Sequence, residues 1–429
     1  MVLFATAMAG TTGSDGRHAT ASGATTAPTP GAARPAPAAA GPGAGAAARS
    51  FYADRFARRP SVAAMTELGR RLFFDPQLAA SGKMACATCH DPAFAYGPPN
   101  ARSTQLGGPE LKTPGLRAVP ALRYLQALPP FAEHHFDEAV DESVDQGPTG
   151  GHGWDGRADT THDKARLPLT SPFEMANPDL ESVIARLARG AIAQHFRAVF
   201  GDDVFADSLR ASTALLMCLE VFQQSPKDFY PYSSRYDAYL RGKIALNPSE
   251  ERGLALFNDP RKGNCASCHP SQIRRGAFPN FTDFGYNAIG VPRNRAIAAN
   301  ADPAFHDLGL CGPLRPDLRN HPAYCGSFRV PSLRNVALRR AFFHNGVFHR
   351  LDQVIAFYVE RDGQPGRWYS TVRGQVDPYD DLPSALRGNV NRQPPFGGKL
   401  GSPPALDERE IRDLVAFLGT LTDSDQLKR

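Results

Sequence analysis

The chain has 429 residues, room for two or three domains and a large core, with a formal net charge of +5 and 21% charged residues. No long basic run marks a nucleic-acid surface; the pairs Arg70-Arg71 and Arg339-Arg340 read as solvated helix faces or salt-bridge partners. No apolar run is long enough to span a bilayer, and the 39 Gly and 38 Pro predict much loop.

Residues 1–50 are rich in Ala, Gly, Pro and Thr, too poor in large apolar residues to fold, and read as a disordered tail or linker. Met1 to Gly10 is mildly apolar without a basic start, compatible with the remnant of an export signal. From Phe51 the composition is globular. Gly69-Arg70-Arg71-Leu72-Phe73-Phe74-Asp75-Pro76 predicts a helix that presents a Leu-Phe pair and stops at Asp-Pro. A short loop then leads to Cys86-Ala87-Thr88-Cys89-His90. C-x-x-C-H is the attachment pattern of a c-type haem: two thiols on one turn reach two vinyl groups, and the next His lies under the iron. A redox dithiol or half a zinc site requires no His there.

Helical periodicity follows over Leu180 to Phe200 and Ala211 to Phe222, with Cys218 reading as a buried helix residue. The segment Tyr230 to Asn247 reads as a boundary, after which the opening recurs. Gly253-Leu254-Ala255-Leu256-Phe257-Asn258-Asp259-Pro260 leads into Cys265-Ala266-Ser267-Cys268-His269. Cys311 and Cys325 lie in a loop-like stretch and read as a disulfide. Asp362 to Pro404 is loop, and an amphipathic helix, Glu408 to Leu421, closes the chain. The fold class is mainly α: two tandem cytochrome c-like domains, over 51–240 and 241–429, with long ordered loops and little β. Covalent haem with a disulfide implies an oxidising compartment, which points to the bacterial periplasm.

A haem iron with two protein ligands mainly transfers electrons, whereas an open sixth position reacts with peroxide or oxygen. Between Asp91 and Glu133 there is no His or Met, so the first haem reads as five-coordinate, with His134, His135 and His152 the residues that could fold back. Met1, Met8, Met65, Met84, Met175 and Met217 all precede the second motif, which excludes a Met ligand from that half. His306, His321, His344, His349 or a Tyr remain. Phenolate ligation stabilises oxidised iron.

Over about residues 60–425 the sequence resembles the bacterial di-haem cytochrome c peroxidase family, and more closely its MauG/MbnH-type branch. Leu72-Phe73-Phe74-Asp75-Pro76 carries part of the resemblance. Gly153-Trp154-Asp155-Gly156-Arg157 resembles the family's F-W-D-G-R, and Phe328 to Val336, followed by His344-Asn345-Gly346, resembles its F-K-V-P-T-L-R-N-V segment. The resemblance implies that Trp154 is an aromatic relay between the haems and Glu174 the distal acid/base at the peroxide site. It makes Pro168 a proline crowding that open face and Tyr358 the axial ligand of the second haem. Lys164 stands where the family often has a Gln, which adds a positive charge near peroxide. The family's interhaem calcium is bound by an Asn side chain and two carbonyls, and the matching positions are Ala118, Arg339 and Ala341. Ala118 removes the carboxamide.

The expectation is therefore a periplasmic enzyme with two covalently bound haem c groups. Hydrogen peroxide generates a high-valent, bis-ferryl-type state shared by both, which oxidises a residue, a Trp, of a partner protein. Two alternatives are a peroxidase drawing electrons from a small redox protein and a non-catalytic electron-transfer cytochrome. The first calls for a His/Met haem, the second for two six-coordinate haems.

Overall fold

The structure is a computed structural model that describes residues 56–136 and 143–427; the tail expected over 1–50 lies outside the described residues. In chain order the helices are α1 Val62–Phe73, α2 Cys86–Cys89, α3 Thr161–Thr170, α4 Leu180–Arg189, α5 Ala193–Phe200, α6 Ser208–Gln223 and α7 Pro226–Phe229. There follow α8 Arg235–Leu240, α9 Pro248–Asn258, α10 Leu351–Glu360 and α11 Glu408–Gly419. Strand is confined, among the described residues, to three two-stranded antiparallel ribbons, such as Tyr286–Asn287 with Phe328–Arg329. The rest is loop and 3-10 turn, so the molecule is mainly helical with little β, as its sequence predicts.

Local signals account for the helix ends. Ser61 caps α1 by accepting from the Ala64 N–H, and Asp75 caps the turn after it, with Pro76 in the first position. Asn247 and Glu250 form a reciprocal capping box at α9, as Asp407 and Glu410 do at α11. The periodic stretch Leu180 to Phe200 is two helices rather than one, because the chain breaks at Gly190. The boundary stretch holds α8.

Two apolar clusters organise the chain. The first gathers buried residues from Phe56 to Phe229, the second from Tyr236 to Leu421. Their centres repeat one arrangement. In the first, α1 crosses α6 at Gly69, where a Cβ would lie 1.9 Å from the Cys218 carbonyl oxygen and 2.8 Å from Phe222 Cβ. In the second, α9 crosses α11 at Gly253, where a Cβ would lie 2.1 Å from the Asp413 carbonyl oxygen and 2.7 Å from Phe417 Cβ. Only glycine permits such backbone contact. Four residues on, Phe73 meets Phe222 edge-on at 5.5 Å and Phe257 meets Phe417 at 5.2 Å. Burying each ring contributes about 1.5–3 kcal/mol. Cys218 is fully buried at the first crossing, where burial pushes its thiol pKa up.

The segment after α11 returns to the first half. Asp423 accepts from Arg123 (2.8 Å), the Tyr124 hydroxyl (2.6 Å) and the Asn335 amide (2.7 Å), so a buried charge is fully engaged. Cys311 and Cys325 are disulfide-bonded.

Candidate functional site

The Leu-Phe helix and its Asp-Pro stop deliver the chain into α2, which presents Cys86 and Cys89 on one turn as free, half-buried thiols. Burial first, and then charge on Cys89 and Glu174, pushes the Cys86 thiol up to about 12. His90 follows at the end of the turn with Nδ1 3.3 Å from the Tyr96 carbonyl oxygen. That bond directs Nε2 away from the backbone, the tautomer a metal-binding imidazole needs. Burial, followed by the positive charge of Lys164, lowers the His90 pKa to about 4, so the ring is neutral at physiological pH.

Glu174 and Lys164 reach this same centre from outside the motif. Glu174 adds negative charge at both Cys86 and Cys89, while Lys164 acts on His90. Gly107 positions the Glu174 turn: a Cβ there would lie 2.2 Å from the Phe173 carbonyl oxygen, and the next N–H, that of Gly108, donates to the Glu174 carbonyl at 2.8 Å. Lys164 lies on α3. One turn later Pro168 sits inside that helix, and with no N–H it leaves the Lys164 carbonyl without its helical donor. The Pro168 carbonyl instead accepts from the Met175 N–H at 3.1 Å, which ties the proline to the Glu174 turn. Burial first and Arg157 second lower the Lys164 pKa, while Glu174 and Asp155 oppose them.

Of the histidines that could have closed this centre, His134 is exposed and bonded to Asp145 at 2.6 Å. His152 is buried, and burial followed by the charges of Arg329 and Lys164 lowers its pKa to about 4.

Trp154 is buried. Its indole Nε1 donates to the Ala118 carbonyl at 2.7 Å, and its own carbonyl accepts from the Arg329 N–H at 2.9 Å. Asp155 beside it is fully buried. Burial alone would raise its pKa, but Arg117 at 2.6 Å and Arg157 at 2.8 Å hold it near 2. Arg117 also forks onto Asp307, at 2.6 and 2.7 Å. This ionic framework fixes the tryptophan loop, and sequence reading did not identify it, because Arg117 and Asp307 are 190 positions apart.

The second centre repeats the first on its histidine side. His269 Nδ1 lies 2.7 Å from the Phe281 carbonyl oxygen, and burial lowers its pKa to about 4. Its other side is different. Tyr358 on α10 faces Cys268 and Cys265, and burial first, then those thiols, push its phenol well up. Phe343 and Phe396 stack on its ring at 5.9 and 5.1 Å. Of the other histidines considered as ligands, His306, His321 and His349 have polar partners, His321 Nδ1 lying 3.6 Å from Glu133 Oε2. His306 Nδ1 is 3.0 Å from the Asp381 carbonyl oxygen, His349 Nδ1 2.8 Å from that of Arg340, and His344 stacks on Phe328 at 3.5 Å. Both centres therefore have the residues that hold a haem c.

The positions corresponding to an interhaem calcium do not fit one. Ala118 brings no side-chain oxygen, and the Ala341 carbonyl accepts from Arg339 Nη2 at 3.1 Å and Nε at 3.3 Å. Arg339 is thus neither a solvated face nor a salt-bridge partner: burial pulls its pKa down to about 10, and no carboxylate pairs with it among the described residues.

Comparison with known proteins agrees with this geometry. The sequence profile described as di-haem cytochrome c peroxidase matches residues 63–245. The methylamine utilization protein MauG of Paracoccus denitrificans is 37% identical over 375 residues, 85% of this chain and 90% of its own. A cytochrome c551 peroxidase of Nitrosomonas europaea is 29% identical over 302 residues, 69% of this chain and 73% of its own. The crystal structure of the diheme peroxidase BthA from Burkholderia thailandensis superposes with a TM-score of 0.75 at 40% identity, covering 85% of this chain and 87% of that one.

Proposed function

Because this chain belongs to the di-haem cytochrome c peroxidase family, and within it to the MauG-type enzymes, we propose that it uses hydrogen peroxide to oxidise a tryptophan of a partner protein in the bacterial periplasm. It is a haem-dependent oxidoreductase of peroxidase type. In this reading it folds as two haem c domains, over 51–240 and 241–429. Cys86 and Cys89 attach one haem, with His90 as its iron ligand, and Cys265 and Cys268 attach the other, with His269 and Tyr358 as its ligands. When bound, the haems supply the iron that accepts oxidising equivalents from peroxide and stores them.

The residues around the first centre manage protons. The Glu174 carboxylate takes the proton from one peroxide oxygen and returns it to the other, so that the departing oxygen leaves as water. Lys164 places a positive charge beside that carboxylate and favours an incoming anionic oxygen. Pro168 brings apolar bulk where a polar side chain could compete with peroxide. Trp154, held by its Nε1 bond, carries electrons between the centres. Hydrogen peroxide takes up two electrons and two protons to give two waters, and the electrons come from the partner.

The observation that carries this reading is the asymmetry of the two centres: carboxylate and ammonium beside Cys86–His90, a phenol facing Cys265 and Cys268. Ferric spectra test it. One high-spin and one low-spin haem are expected, and Tyr358→Phe should change the low-spin signal alone. Two low-spin haems unreactive toward peroxide would instead mark an electron-transfer cytochrome. Peroxide turnover supported by a small redox protein, with no modified residue detected by mass spectrometry in any neighbouring protein, would mark a detoxifying peroxidase.

A further inference from the structure

We infer that the Arg339 guanidinium is the built-in cation between the two centres and that the protein works without an interhaem calcium ion. The inference rests on the haem reading only in that His90 and Trp154 belong to that machinery. Its basis is the donor set. A calcium site needs six to eight oxygens that are free to turn toward the ion. Here the Ala341 carbonyl is bonded by Arg339 Nη2 and Nε, the Val119 carbonyl accepts from the same Nη2 at 3.1 Å, and the Ala118 carbonyl is occupied by Trp154 Nε1. Position 118 is an alanine, so no side-chain oxygen completes a cage. Among the described residues no cluster of three His, Cys, Asp or Glu side chains substitutes for one.

A planar guanidinium suits this task. Its fork of N–H donors spans carbonyls from two separate segments, which a compact ammonium could not hold in fixed directions. Arg339 thereby pins Val119 to Ala341, and the Ala118 N–H adds a 2.6 Å bond to the His344 carbonyl. These bonds secure the peptide that carries the indole of Trp154. The guanidinium is protonated at neutral pH, and no carboxylate pairs with it among the described residues. That positive charge lies within electrostatic reach of His90. Arg339 is therefore a positioning residue that also adds positive charge near His90, second to Lys164. Being tethered to the chain, it cannot be withdrawn by a chelator.

The test uses the purified holoprotein, with metal analysis before and after EGTA treatment, ferric spectra, and the two haem midpoint potentials. Substoichiometric calcium is expected, with spectra and potentials indifferent to EGTA and to added calcium chloride. Arg339→Ala, which removes the charge and the bonds to Val119 and Ala341, should shift the first haem's potential and slow electron exchange between the haems by about tenfold. Added guanidinium chloride at millimolar strength should restore part of the loss in this variant alone. Arg339→Lys, which keeps the charge, should retain the potential better than the exchange rate. One calcium per chain, lost to EGTA together with the native spectrum, overturns the inference, and so do unchanged potentials and exchange in Arg339→Ala. If the native protein fails to react with peroxide, the functional reading falls, while metal content and potentials still decide the role of Arg339.

Discussion

The two centres differ in what they add to the same scaffold. Each half crosses two helices at a glycine, sets a Phe pair edge-on four residues later, and pins the motif histidine by a carbonyl at Nδ1. Above the first motif the chain then brings Lys164, Pro168 and Glu174, which can hold and move protons. Above the second it brings Tyr358 between Phe343 and Phe396, which closes the site with aromatic surface and one phenol. On the proposed reading, one way of holding a haem serves two reactivities, and the difference lies in segments far from either C-x-x-C-H. The first centre is lined by charged groups, the second by aromatic rings.

Four substitutions can break or sharpen this comparison. Glu174→Gln removes the proton carrier from the open centre and should slow the reaction with peroxide by about 10²–10⁴-fold in stopped-flow mixing, leaving the spectrum of the second haem unchanged. An equal disturbance of both haems would mean that the centres are not separable in this way. The shared scaffold is tested by adding a methyl group at each crossing. Gly69→Ala and Gly253→Ala should each lower stability by about 3 kcal/mol in chemical unfolding, since both force a Cβ onto a backbone carbonyl. A large effect at one site and none at the other would end the equivalence of the halves.

The smallest effect concerns acid stability. Asp155 has a folded pKa near 2 against an ordinary 3.8, so its stabilisation is complete above the ordinary value and is lost as pH falls through that window. It amounts to about 2 kcal/mol, and Asp155→Asn should abolish it, flattening the acid limb of stability against pH between 4 and 2. An acid limb identical to that of the native protein would show that the charge between the halves does not stabilise the fold.

Much of this protein is legible in its sequence because the signals are short. The spacing of Cys86, Cys89 and His90, its repeat at Cys265, Cys268 and His269, the Asp-Pro stops and the pairing of Cys311 with Cys325 depend on neighbours or on few alternatives. The resemblance named Trp154, Glu174 and Tyr358, whereas spacing alone left Tyr358 among several rivals. Arg339 was misread, since a basic pair in a polar stretch looks solvated unless the carbonyls it meets are known. One signal was available: the alanine at position 118, where a side-chain oxygen is required, coincides with an arginine at a second position of the same site.

The sequence by itself determined the two anchoring motifs, the doubled opening helix, the exclusion of a methionine ligand after Met217 and the mainly helical class. Covalent chemistry and the 3.6-residue period act over a few positions, so they can be read along the chain. Only the tertiary structure decided that Glu174 and Lys164 converge on the Cys86–His90 motif, that Asp155 is clamped between Arg117 and Arg157, and that a guanidinium holds the carbonyls of Val119 and Ala341. Those contacts join residues up to hundreds of positions apart, and their energies depend on burial and direction, which exist only once the chain has closed on itself.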